Sequence, residues 1–589
     1  MPREVILRLP PEKNPDQLDP GELLEAVCQE LGWKQEQIAA MREERTSLDA
    51  RSGKLSWRVA YTVWSDTEEV PENPSLDPPQ LTPPAADAPH VIVIGSGPAG
   101  LFSTLELLRA GVRVTVLERG QDVQTRRKDL ADLNRGVAAN PESNYCFGEG
   151  GAGTYSDGKL YSRSKDREAI QEVMLDLVRH GAPENIMWSW RPHIGSNQLP
   201  KVVLALRETL QQAGEVRFGA KVVELLTEAI DGAGEADAQA RVIGVKLADG
   251  NELYADAVVM ATGHSALDAL KFAADAGATL EAKGFAMGVR VEHPQPWLDA
   301  HQYRGKKDEA ALPPAFYELA TQVNERGVYS FCMCPGGWIV PSQTQEGTLV
   351  VNGMSLSKRD SPFANSGLVV EIQPKDWCGK RGWRWGFNEM LKAAAKVSDH
   401  PMLHEKVADP RGGAPIDVAE GRLPVHPGID PLFGVRLQVA LEALAAHAGG
   451  GDNKAPTHRC DLFAAGEGPA EEPNMTSYLP GLTPANLHDI LPRGIAVRLA
   501  ESLPIFEQQI RGFAGKDGQL VGVETRTSSP VRIMRNLEKD DRPFQATTLA
   551  GLYPSGEGAG FAGGIISAAL DGRRVAAAIT ANLPSATAS

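Results

Sequence analysis

Cysteine is scarce. Six residues, Cys28, Cys146, Cys332, Cys334, Cys378 and Cys460, are scattered over 589 positions, which argues against a disulfide framework and predicts a reduced, intracellular setting. Long apolar runs are missing too. Nothing approaches the ~18 uninterrupted apolar residues of a membrane helix, and the opening Met1-Pro-Arg-Glu-Val-Ile-Leu-Arg-Leu9 has no apolar core of a secretion signal. The expectation is a cytoplasmic protein without a membrane partner. Basic excess is also absent, since 60 Lys and Arg face 76 Asp and Glu for a formal net charge of -16. DNA is therefore not an expected partner, because neutralising phosphates takes a clustered cationic face.

What is present is an ordinary globular composition, 42% apolar and 23% charged, long enough for two or three domains of the α/β class. One stretch organises it. His90-Val-Ile-Val-Ile94 is a short apolar run of the kind buried in a parallel sheet, and Gly95-Ser-Gly-Pro-Ala-Gly100 follows it directly. Gly95 permits a sharp turn, Gly97 lets backbone N–H groups approach a pyrophosphate, and Gly100 lets the following helix pack close to the strand, with Pro98 and Ala99 as further cofactor-binding candidates of the same turn. That helix points its positive end at the phosphate. Val112 to Leu117 supply a second strand ending in Glu118, about 20 residues past the glycines, where a carboxylate meets ribose hydroxyls.

Ahead of this unit, residues 1–66 read as a small α/β module of ferredoxin-like flavour, with strands at 4–9 and 55–64 and a helix at 23–31. Its Arg42, Arg45 and Arg51, mixed with acidic residues, form a solvated surface or a basic binding face. Residues 67–89 carry seven prolines from Pro71 to Pro89, and such density predicts an extended tether. Beyond Glu118, Tyr145 to Leu160 interleaves Gly148, Gly150, Gly151, Ala152, Gly153 and Gly158 with Thr154, Ser156, Asp157 and Lys159, which predicts a ligand-binding loop. Asp231 to Ala240 reads as a loop tip, and Asp249-Gly250 as a hairpin turn. Ala255 to Met260 is a buried strand running into Ala261-Thr-Gly-His264 and returning to the sheet edge of the first glycine turn. Residues 285–513 show strand-like pieces without βα alternation and read as a mixed domain covering a substrate or cofactor ring. Residues 514–589 end with strand, Gly556-Glu-Gly-Ala-Gly560 turn, and an Ala-rich helix whose start at Gly563, Gly564 and Ile565 offers further free N–H groups.

These motifs together resemble FAD-dependent oxidoreductases of the glutathione-reductase-like superfamily, and within it the poorly characterised bacterial FAD-dependent dehydrogenases. The resemblance rests on Gly95–Gly100, Glu118-Arg119-Gly120, Phe147 to Lys159, Ala261-Thr262-Gly263, Glu524 to Pro530 and Gly556–Gly560, and spans nearly the whole chain. It implies a Rossmann-type FAD-binding fold at 90–284 and 514–589 with an inserted mixed α+β domain. By that likeness the first glycines hold the FAD pyrophosphate, Glu118 the adenosine ribose, the Val223 backbone the adenine edge, and Glu557 replaces the usual Asp near the ribityl chain. Gly263 lies near the cofactor.

FAD is long, and several separate glycine turns suit it better than NAD alone. No second Gly-x-Gly-x-x-Gly follows a strand, so NADH or NADPH is expected only as a transient reductant over the flavin, or as the substrate. Candidate catalytic residues are Cys332 and Cys334, which an i, i+2 spacing puts on one side of a strand, with His264 beside the Ala-Thr-Gly turn and Arg526 as stabiliser of an anion. The thiols suit core packing, a thiol relay, or a metal site needing two further ligands, and no metal is expected. The predicted activity is hydride transfer between flavin N5 and a small organic substrate. The alternatives are an FAD-dependent monooxygenase and a protein- or RNA-binding protein, engaged through residues 1–66, with structural flavin.

Overall fold

A five-stranded parallel sheet stands at the centre of the fold, in the order Leu552–Pro554, Ala257–Met260, His90–Ile94, Arg113–Leu117, Glu215–Arg217. The computed structural model describes residues 1–49, 55–162, 164–230, 238, 240–304 and 312–583. Arg51 and nearly all of the 231–240 segment lie outside them. His90–Ile94 is central because Val91, Ile92 and Val93 are fully buried on both faces, the environment a continuous β-branched run requires. Its neighbour Ala257–Met260 runs parallel in register, Met260 opposite Ile94, and Leu552–Pro554 extends the same edge. Three chain segments far apart in sequence thus end at one edge of one sheet, where open α/β sheets bind ligands.

Helices Pro98–Arg109 and Ile565–Asn582 cross on one face of this sheet. Their approach is close because Gly572 is there: a Cβ on it would sit 2.2 Å from the Ala99 carbonyl oxygen. Helices Arg167–Arg179 and Leu199–Leu210 complete that side through Val173, Leu177, Val202 and Leu206. Asp249-Gly250 does turn a hairpin, Ala240–Leu247 pairing with Glu252–Tyr254.

The second large unit is a seven-stranded mixed sheet in the order Ala320–Val323, Arg326–Cys334, Phe363–Ile372, Phe285–Pro294, Gln519–Glu524, Ala455–Arg459, Leu482–Pro484. Gln519–Glu524 corrects the expected limit at residue 513. Buried along its whole length, it lies inside the mixed sheet, between Phe285–Pro294 and Ala455–Arg459. Helices Phe433–Gly449 and Arg493–Gln509 belong to this unit.

Residues 3–65 form a βαββ unit: strands Arg3–Leu9, Ile38–Asp49 and Ser56–Ser65 around helix Pro20–Leu31, with Ser56–Ser65 in the middle. The Ile38–Asp49 strand was not legible as one, since its charged residues break the apolar alternation. Arg42, counted towards a basic face, lies over the Trp64 ring at 5.3 Å and donates to Asn73 Oδ1. Thr46 and Trp188–Trp190 exchange backbone hydrogen bonds, which dock the unit on the rest of the chain. The proline-rich residues 66–89 hold no helix or strand. They lie along the surface, the Leu81 N–H donating to Gln212 and Arg113 to the Ala86 carbonyl.

Candidate active site

The first turn is built by backbone requirements. Gly95 has φ +99°, a conformation costly for any residue with a side chain, and a Cβ there would lie 2.5 Å from the Ala261 carbonyl oxygen. A Cβ on Gly100 would lie 1.9 Å from the Gly95 carbonyl oxygen. Pro98 opens the helix, where its missing N–H costs nothing.

The other glycine segments converge on this turn. A Cβ on Gly151 would sit 3.2 Å from Gly97 Cα, one on Gly556 2.9 Å from Ala99 Cβ, and one on Gly558 2.4 Å from the Gly263 carbonyl oxygen. Gly153 faces Pro98 and Ile565 in the same way. Gly97, Gly263, Gly563 and Gly564 instead border open space: a Cβ on Gly97 meets only Gly151 Cα at 4.0 Å, one on Gly563 only Glu557 Oε1 at 3.9 Å, and the other two meet nothing within 4 Å. The result is a crevice walled by bare backbone at the N-terminal ends of two helices, which suits a long, pyrophosphate-bearing nucleotide. Val223 is the extra residue where the register between Val222–Ala229 and Ala240–Leu247 shifts, so its backbone lies outside the ladder.

Several expected roles change. Glu118 is buried and accepts four protein donors: the N–H and Oγ–H of Ser96 on one oxygen, the N–H groups of Gly120 and Gly148 on the other. That exhausts its lone pairs, so it clamps the first turn to the glycine loop rather than presenting itself to ribose hydroxyls. Arg119 is held by Glu142 and Asp268 and stacks on Phe147, which accounts for its charge without a cofactor. Ser156 bonds within its own loop, donating to the Gly153 carbonyl and accepting from the Gly158 N–H. Arg526 donates to both oxygens of buried Glu442 and to Thr344, so its charge is spent inside the protein and it is not free to stabilise an external anion.

Two bracing residues had been missed. Arg126, fully buried, donates to the carbonyls of Asn144, Tyr145 and Glu149 and thereby holds the glycine loop. Asp571 accepts from the Gly556 N–H and from Ser555 while pairing with Arg535. The one carboxylate in an Ala-rich helix was the available signal for Asp571; Arg126 gave none.

His264 and Glu557 meet at the C-terminal turn, Nδ1 to Oε2 at 3.7 Å. Burial pushes the imidazole down to about 4, with Arg526 adding to the effect, so it is neutral. Burial lifts the Glu557 carboxyl to about 7 against the pull of Lys283 and of the Gly564 N–H.

The mixed sheet contributes a charged cluster opposite the turns. Lys159, from the glycine loop, places its ammonium 3.7 Å from Cys332 Sγ and 3.5 Å from Cys334 Sγ. The two thiols do share a side, but not through a regular strand. Cys332 sits at φ +45°, and pairing with Phe363–Ile372 shifts between Phe331 and Cys334. Lys159 also pairs with buried Asp157, itself held by Arg359. Arg290, fully buried, donates to Glu524 at 2.6 Å and to the Cys332 carbonyl at 2.7 Å. Among the described residues no group of three or more His, Cys, Asp and Glu is placed to hold a metal ion, and no helix is long and apolar enough to cross a membrane.

Comparison with known proteins agrees with this geometry. A profile described as an FAD binding domain matches residues 89–143, one described as FAD-dependent protein, C-terminal domain-like, matches 284–395 and 418–527, and a domain of unknown function matches 1–64. The class is thereby defined: this is an FAD-dependent oxidoreductase. The chain is 34% identical over 570 residues to an uncharacterized protein of Clostridium beijerinckii, covering 93% of this chain and 94% of that one, and it belongs to the same family. It is 30% identical over 221 residues to the tRNA 5-methylaminomethyl-2-thiouridine biosynthesis bifunctional protein MnmC of Chromohalobacter salexigens, covering 32% of this chain and 30% of MnmC. Among solved structures, Thermovibrio ammonificans THI4 is 18% identical with a TM-score of 0.22, covering 33% of this chain and 64% of that one. At such coverage and superposition, the activities of MnmC and THI4 are not carried over.

Proposed function

We propose that the crevice holds FAD and that the enzyme moves a hydride between flavin N5 and a small organic substrate, with NADH or NADPH as a transient reductant. What supports this reading is the meeting of Gly97, Gly151, Gly263, Gly556 and Gly563 around one backbone-lined opening. The residues that would hold the cofactor are Gly95–Gly100 at the pyrophosphate, the Val223 backbone at adenine, and Gly151–Gly153, Ala261–Gly263, Gly556-Glu557 and Gly563–Ile565 along the rest. Bound there, FAD supplies two-electron hydride chemistry.

The chain's own contribution is orientation, exclusion of water and proton placement. Glu118, Arg126 and Asp571 fix the turns by hydrogen bonds, so no reorganisation accompanies binding. Glu557 Oε2 is the atom beside His264 that holds a proton near neutral pH, the imidazole staying neutral. On the opposite wall Arg290 is paired with Glu524 and Arg359 with Asp157, which leaves Lys159, sharing Asp157 with Arg359, as the cation suited to a substrate or intermediate that becomes anionic. In this reading the chain is a cytoplasmic member of the glutathione-reductase-like superfamily, with residues 90–284 and the segment after Glu524 forming the FAD domain, and residues 285–524 the cap.

An anaerobic titration tests it. Purified protein carries the visible absorbance of flavin, and NADH, NADPH or one member of a substrate panel bleaches it. A flavin that stays oxidised against all of them defeats the hydride-transfer reading.

A further inference from the structure

The charge count of the mixed-sheet cluster leaves a gap that a thiolate fills. Lys159, Arg290 and Arg359 bring three cations to the neighbourhood of Cys332 and Cys334, whereas Asp157 and Glu524 bring two carboxylates. Buried charge is costly unless it is compensated. The sulfur atoms are the groups Lys159 touches besides Asp157.

The two thiols are not equivalent. Cys334 is fully buried and its S–H donates to the Cys332 carbonyl at 3.3 Å, whereas Cys332 is half-buried at a break in the strand. Side-chain pairing with the Cys334 thiol, distinct from the bond to the carbonyl, holds the Cys332 thiol well below the ordinary range, with Lys159 and Arg290 adding to it against burial and Asp157. The same pairing of the two thiols, with burial, holds Cys334 well above it. Cys460 is the contrast: buried beside Asp461 with no cation as a cause of its shift, its thiol is pushed up. A low, accessible thiolate next to a protonated partner is the arrangement of an attacking and a resolving cysteine.

We infer that Cys332 and Cys334 are a redox-active dithiol that reduces a disulfide-class substrate, with Cys332 attacking, Cys334 resolving and Lys159 as the positioning residue. The sulfur of Cys332 attacks one sulfur of the substrate disulfide. That S–S bond breaks, and the departing thiolate takes a proton from solvent. Cys334 then gives its proton to the remaining substrate sulfur and attacks Cys332, releasing the second thiol and closing the Cys332–Cys334 bond. Two electrons leave the protein pair, and the substrate becomes two thiols. Return to the dithiol takes a two-electron donor of the dithiol class. The inference rests on the proposed flavin site only for its location: Lys159, which touches both sulfurs, comes from the glycine loop that lines the crevice.

The test uses the full-length flavin-loaded protein and glutathione disulfide. Peptide mass mapping of the wild type is expected to find a Cys332–Cys334 disulfide that dithiothreitol reopens. Cys334→Ser is expected to accumulate a glutathione adduct on Cys332. In that background Lys159→Met is expected to slow alkylation of Cys332 at neutral pH about tenfold or more, moving its pH profile up by about one unit, and Lys159→Arg to restore it. Asp157, Glu524 and Glu557 oppose the thiolate, while Lys159 and Arg290 favour it, so the profile reports their balance. Absence of the wild-type Cys332–Cys334 disulfide at excess glutathione disulfide overturns the inference whether or not the variants fold. So does alkylation of Cys332 only in the alkaline range of an ordinary thiol. Flavin absorbance in the same samples separates the two readings: inert thiols in a yellow protein defeat this inference alone, and reactive thiols in a colourless protein support it while defeating the proposed function.

Discussion

On the parallel-sheet side of the crevice, polar groups are spent on the protein itself. Glu118 takes four donors, Arg126 gives three hydrogen bonds to loop carbonyls, and Asp571 divides itself between the Gly556 turn and Arg535. Across from it, on the mixed sheet, a strand breaks at Cys332, and Lys159 and Arg290 approach the two sulfurs while Arg359 holds Asp157 beside them. One side is a fixed cradle; the other holds positive charge that its carboxylates do not fully match. The difference teaches that a site divides its labour: satisfied groups give shape, and incompletely compensated ones give chemistry.

That comparison breaks first if the cradle tolerates side chains. Gly100→Val puts carbon where only 1.9 Å separates a Cβ from the Gly95 carbonyl, so near-complete loss of flavin per protein, or of soluble protein, is expected from the absorbance ratio. Gly97→Ala, whose Cβ meets only Gly151 Cα at 4.0 Å, keeps the fold and weakens flavin retention alone. Next in size, Asp571→Ala strands the buried Arg535 guanidinium and is expected to cost about 3–5 kcal/mol in urea unfolding. Glu118→Gln offers one acceptor oxygen in place of two and turns an NH2 towards N–H donors, for about 1–3 kcal/mol. If Glu118→Gln leaves stability untouched and weakens only cofactor affinity, the clamp assigned to it is wrong.

Much of the cradle was legible because its rules are local. Gly95–Gly100 sits between two apolar runs, and Ala261–Gly263 and Gly556–Gly560 each follow a short buried strand, so glycine spacing and strand pattern located the turns. Glu118 was found for its position and misread in its role, because its four donors come from residues up to 30 positions away. The Lys159–Cys332 contact spans 173 positions, and nothing at either end announces the other. Gln519–Glu524 was placed on the wrong side of a boundary for the same reason: a buried strand shows its burial in sequence, not its partners.

The smallest effect sharpens the comparison most, because it asks whether the two walls titrate alike. Burial raises Glu557 on the turn side and Glu524 on the mixed-sheet side each from the ordinary 4.5 to about 7. For a carboxyl raised in the folded state, the native form binds the extra proton, so stability falls as pH climbs from about 4.5 to about 7 and is level beyond. Glu557→Gln removes one of these two contributions. The variant is expected to match the wild type near pH 4.5 and to gain on it up to about pH 7, by about 1–2 kcal/mol once the side chain's 24% exposure is discounted. Unfolding midpoints of both proteins across that window give the difference directly. Glu524→Gln provides the counterpart, and there the gain is offset, because Glu524 is held by a 2.6 Å hydrogen bond from Arg290 and removing its charge leaves that guanidinium buried without its partner. A difference curve for Glu557→Gln that is flat, or that rises towards acid, shows that this carboxyl is ionised throughout and holds no proton for the reaction.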